Sequence, residues 1–414
     1  NRTLRDVLND IQNEIKTGNF RKHPAADVWF ERNVTNDTLS VERKFVFSAN
    51  IRGPISLGLY APAGEIIELE FDDDTWELMK ASNWKGMSIS INQNFWDSYP
   101  ADNSARISNR YPYLGTYFGI DLQNKIVKFG SPFGGNISIN IDNPFTNNSI
   151  YKSYNDLKFS VRNAVETLYY VDGFTTEKEW NNQIEKVKNG KINAPSLGAV
   201  SNYGTINMPY TGKNEIGHYS IDQMVYPKET FKKLNDFLFL SNYFANNDSK
   251  EYLYRLDFEF CDDIWGGGAA AWGGGNRLYC EPTWGMEMLF LGSENPNWWS
   301  MGDQWGTFHE MNHNFQQDSA FFKLTSKMRP QTNQVTVFNL AIQGDKNRFR
   351  SETNWYGENV KGNRGPGWRR LSNAFSNIQS ANLGYGGPDE YSLYATILHT
   401  IGFNHMLNML DEIQ

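Results

Sequence analysis

Four short runs decide how this chain is read: KFVFSANI at residues 44–51, ISLGLYA at 55–61, EIIELEF at 65–71 and MSISI at 87–91. Apolar and polar residues alternate along them, the period of a strand with one buried face, and Gly, Pro and Asp separate them. IVKFG at 126–130 and NISINI at 136–141 extend the pattern. Strands this short, with turn residues between them, predict an antiparallel β-sandwich over residues 43–150.

Outward from these runs the character changes. At 4–17, LRDVLNDIQNEIKT places Leu4, Val7, Leu8, Ile11 and Ile15 at helical spacing, so residues 1–42 read as a helix and lead-in. After residue 150, VRNAVETLYYV (161–171), EKEWNNQIEKVK (177–188) and KETFKKLNDFLFLSNYF (228–244) read as helices. WGGGAAAWGGG (265–275) reads as a Gly/Ala loop, either a mobile lid or a plain connector. A helical stretch follows from Gly306, and EYSLYATILHTIGFNHMLNML (390–410) carries a helical pattern to the chain end, which leaves a continuation past Gln414 open. The expected fold class is therefore α+β, with the sandwich followed by a mostly helical domain over 151–414.

Composition limits the function. At 414 residues the chain can bury a large core, and with 21% charged and 39% apolar residues it belongs with globular proteins. A net charge of −8, with Lys and Arg scattered, predicts no nucleic-acid partner. No apolar stretch is long enough to span a membrane. The chain begins at Asn1 without Met, so a removed leader or a fragment of a longer protein is expected. The sequons at Asn1, Asn33, Asn36, Asn136, Asn147 and Asn247 add weak support for secretion. Cys261 and Cys280 flank the Gly-rich segment and read equally as a disulfide or as two free thiols.

The run with chemistry in it is GDQWGTFHEMNHNFQQ at 302–317. His309 and His313 are four apart, which on a helix puts both on one face, able to bind one metal ion. Glu310 lies beside them, placed to act on a water that the metal activates. Two neutral imidazoles and an oxygen ligand suit zinc. The same spacing also occurs on solvated helix faces. Here the apolar flanks Trp305, Phe308, Met311 and Phe315 point to a buried helix, and the two histidines are drawn from a total of 6.

The run WGTFHEMNHN resembles the WG-x-x-HExGHN signature of the enhancin-like, mucin-degrading metallopeptidases. Four further segments are similar to the family in the same order: LGLYAPAGE at 57–65, SPFGGNISI at 131–139, TNQVTVFNL at 332–340 and YSLYATILHTIGF at 391–403. The resemblance spans roughly residues 43–405. It implies a gluzincin-like zinc-peptidase domain behind a β-sandwich, a secreted or cell-surface location, and hydrolysis of the backbone of mucin-type O-glycosylated proteins. It makes His309 and His313 zinc ligands and Glu310 the general base.

The third ligand departs from the family. The motif places Gln334 where the family has glutamate, and an amide oxygen is a weaker zinc donor than a carboxylate. Asp318, Glu352 and Glu358 are the other carboxylates within reach in sequence, and none matches the motif. Asn312 also stands where the family has Gly. LYCEPTWGMEMLF at 278–290 is a candidate edge strand for gripping substrate. Trp284, Trp298 and Trp299 can stack on a glycan or fill core, and Tyr391, Tyr394 and His399 are candidate oxyanion donors. Asp389 and Glu390 suit the start of the late helix. Two readings follow: a zinc peptidase, or a family member that has lost its glutamate ligand and binds glycoprotein without cutting it.

Overall fold

The computed structural model describes residues 4–27, 34, 40–48, 53–91, 115–141 and 156–209, parts of 215–238, and 255–260, 270–272 and 277–280. The chain divides into two compact units. The first holds residues 1–226, 252–268 and 279–283, and the second holds the remainder.

The first unit opens with α1 (Leu4–Lys16). Gly18, at φ +79°, stops it: Gly18 N–H donates to the Ile15 carbonyl and Asn19 N–H to that of Glu14, the paired bonds of a Schellman ending. The alternating runs then form strands: β1 (Val41–Ser48), β2 (Gly53–Ala61), β3 (Ile67–Phe71) and, after α2 (Asp73–Ser82), β4 (Met87–Ile91). β5 (Thr116–Gly119), β6 (Ile126–Phe129), β7 (Gly135–Ile141) and β8 (Asp156–Glu166) complete an eight-stranded sheet. Its order is β5-β4-β7-β2-β8-β3-β6, with β1 also on β8, and every pairing is antiparallel.

The sheet curls back on itself. β5 and β6 are the two ends of the strand order, yet the rings of Phe118 and Phe129 on them lie 5.9 Å apart. Ile55, Leu57, Leu59, Leu69, Ile89, Ile137, Ile139 and Val161 fill the interior with essentially no exposure. α2 adds Trp76 and Met79 to this core. Its N-cap Asp72 accepts from Thr75 N–H at 2.8 Å, and Asn83 ends it in the left-handed region.

The expected fold class is overturned. In place of a sandwich followed by a mostly helical domain, the described residues form a nearly closed antiparallel sheet and then a second sheet. That sheet is built from β9 (Leu168–Val171), β10 (Ser196–Val200) and β11 (Gly204–Pro209), with α3 (Glu177–Lys188) crossing between β9 and β10. After a short pair, β12 (Glu215–Ile216) and β13 (Tyr219–Ser220), β14 (Leu256–Phe260) joins β11 in parallel.

Residues 161–171 show how the helical reading failed. Val161, Ala164, Val165 and Leu168 are buried at helix-like spacing, yet they lie on β8 and β9. Asn163, at φ +66°, inserts a bulge into β8 that shifts the alternation by a residue. The 177–188 run is helical, closed by a capping box between Thr176 and Glu179. In the second unit, those residues of 228–238 that are described are helical, with Phe231, Leu234 and Leu238 buried. The Gly/Ala segment contains a strand, β15 (Ala270–Trp272), and 278–290 starts within β16 (Arg277–Cys280).

Candidate functional site

Two of the segments that carry the family resemblance lie among the described residues, and they are neighbours. Residues 57–65 run along β2 into the turn after it, and residues 131–139 form the turn before β7 and most of that strand. Tyr60 pairs with Asn136 and Ala61 with Gly135. Their turns bond as well, with Gly64 N–H donating to the Ser131 carbonyl at 2.9 Å.

The glycines answer to space. Gly64 has φ +82°, and a Cβ on it would sit 2.5 Å from the Lys22 backbone nitrogen. Gly134 has φ +72°, and its Cβ would sit 2.7 Å from the Ala61 carbonyl oxygen. The lead-in chain lies across this joint: His23 N–H donates to the Pro132 carbonyl at 3.0 Å, and its ring lies 4.7 Å from that of Phe133.

Within the first of these segments β2 is bulged. Its register against β7 jumps from Ser56–Ser138 to Leu59–Ile137, which leaves Leu57 and Gly58 facing no residue of β7. Arg43 Nη1 takes up both carbonyls, donating to Leu57 at 3.3 Å and Gly58 at 3.2 Å, while Nη2 donates to Glu166 at 3.0 Å. Tyr169 closes over the bulge. Its hydroxyl donates to the Ser56 carbonyl at 2.7 Å, and Gln183 grips its backbone from both sides at 2.8 and 2.9 Å. Burial raises the Tyr169 phenol well above its ordinary range, against the opposing pull of Arg43 and Arg255.

β2 is buried along nearly its whole length because both faces are covered. Ile55, Leu57 and Leu59 face the first core, while Ser56 faces the second sheet. The strand register puts Tyr169, Gly198, Thr205, Asn207, Asp257 and Glu259 on one face of that sheet. Ser56 N–H donates to Thr205 Oγ1 at 3.2 Å, and a Cβ on Gly198 would meet Ser56 Oγ at 2.5 Å. Asn207 Nδ2 donates to Glu259 Oε1 at 2.7 Å. Arg255 serves the carbonyls of Ser201, Asn202 and Gly204, and burial lowers its guanidinium to about 10. The opposite face is apolar: Tyr170, Leu197, Ile206, Met208 and Phe258 are buried, with Trp180 of α3 edge-on to Tyr170 at 6.0 Å.

His309, Glu310, His313, Gln334, Trp284, Trp298, Trp299 and Tyr391 lie outside the described residues, as do Asp318, Glu352 and Glu358. Among the described residues, no group of three or more His, Cys, Asp or Glu stands ready to hold a metal. No described helix is long and apolar enough to cross a membrane. Sequence reasoning passed over Arg43, Tyr169, Asn207, Asp257 and Glu259. LDFEF at 256–260 alternates as a strand with one wet face would, and nothing in that pattern says the wet face is buried.

No family model matches the chain. Antigenic protein P1 of Entamoeba histolytica is 22% identical over 447 residues, covering 99% of this chain. The chain spans only 34% of that relative's length. A mutant of a functionally unknown conserved protein from Bacillus anthracis superposes with a TM-score of 0.59 at 12% identity, covering 89% of this chain and 67% of that one. That likeness shows a shared fold. Solved metallopeptidases are also among the structural neighbours, at lower similarity. The catalytic module of the metalloprotease ZmpA from Clostridium perfringens has a TM-score of 0.46 at 14% identity, covering 91% of this chain and 76% of that module.

Proposed function

We propose that the chain is a secreted or cell-surface zinc metallopeptidase that hydrolyses the peptide backbone of mucin-type O-glycosylated proteins. The observation that carries this is the run WGTFHEMNHN at 305–314, in order with four companion segments. The pairing of residues 57–65 with 131–139 supports it, since segments that match a family in order also meet in space.

His309 and His313 would hold zinc through two imidazoles, the ligand type zinc favours, and Gln334 would add an amide oxygen, a weaker donor than a carboxylate. Bound zinc supplies Lewis acidity toward a water and the substrate carbonyl. Glu310 takes the proton from the attacking water and returns it to the leaving amine. Trp284, Trp298 and Trp299 give a glycan flat faces to stack on, Tyr391 is read as a substrate-binding residue, and Tyr391, Tyr394 and His399 are the candidate oxyanion donors.

Gln334 favours a second reading, a glycoprotein-binding member whose cutting is weakened. Incubation with a mucin-type O-glycoprotein, followed by peptide mapping, separates the two. New backbone termini that vanish with a zinc chelator support the peptidase. Retention of the glycoprotein with an intact backbone supports the binder.

A further inference from the structure

We draw no further inference here: the strongest candidate, the buried polar cluster of Asn207, Asp257 and Glu259 on the β11–β14 face, has carboxylates already engaged within the fold.

Discussion

Gly58 and Tyr169 are in direct contact: a Cβ on residue 58 would lie 2.2 Å from Cγ of the tyrosine ring. The contact joins the two sheets of the first unit at the β2 bulge. Gly58 also has φ +62°, where an L side chain is strained. Gly58→Ala should therefore cost about 1–2 kcal/mol for the left-handed backbone and about 1–3 kcal/mol for overpacking against the ring. Gly173→Ala is the control, since Gly173 has φ +78° but nothing within 4 Å of its Cβ position. Urea denaturation should show Gly58→Ala as clearly the worse of the two. Equal losses would mean that the Tyr169 contact gives way freely.

High pH should weaken the fold through the same tyrosine. Burial raises the Tyr169 phenol above the ordinary value of 10.0, and Tyr170 is raised mainly by burial and then by Asp172. Above pH about 10 the unfolded chain loses these protons while the folded chain keeps them. Stability is thus fully present below that pH and falls as pH rises toward the folded values. Tyr169 alone contributes a slope of up to about 1.4 kcal/mol per pH unit. Urea midpoints at pH 9, 10 and 11 should fall, and less steeply in Tyr169→Phe. An unchanged slope in that variant would show that Tyr169 ionises freely in the folded chain.

Much of the first sheet was legible because its strands alternate. The runs at 44–51, 55–61, 65–71 and 136–141 overlap β1, β2, β3 and β7. α3 matches its predicted run residue for residue, since Thr176 and Glu179 mark its start. The second sheet was not legible. β8, the first-sheet strand that leads into it, hides its alternation behind the Asn163 bulge, and β14 of the second sheet buries Asp257 and Glu259 where a local reading expects water. Closure of the first sheet depends on Phe118 meeting Phe129 across its ends, which no local pattern encodes. For the candidate site the sequence remains the source, because residues 305–334 lie outside the described part.

Glu310→Gln should abolish most peptide cleavage while zinc stays bound. A general base is worth about 10²–10⁴ in rate. Cleavage of a mucin-type O-glycoprotein is measured beside zinc content for both chains. If the variant loses its metal and its fold together, Glu310 is a structural residue and the assigned role is wrong.

Gln334→Glu should hold zinc more tightly and cut faster. The change adds a negative charge beside a dication and supplies the carboxylate ligand of the family the sequence resembles. Zinc retention against graded chelator and the cleavage rate are compared with the parent chain. A variant that gains neither puts Gln334 away from the metal and turns the search to Asp318, Glu352 and Glu358.

Zinc stoichiometry tests the central claim most directly. The chain is equilibrated in buffered zinc, freed of excess, and measured by elemental analysis beside His309→Ala and His313→Ala. The account predicts one zinc ion per parent chain and none retained by either variant, all three with the same circular dichroism. A parent chain that holds no zinc, or variants that hold as much as the parent, would contradict it.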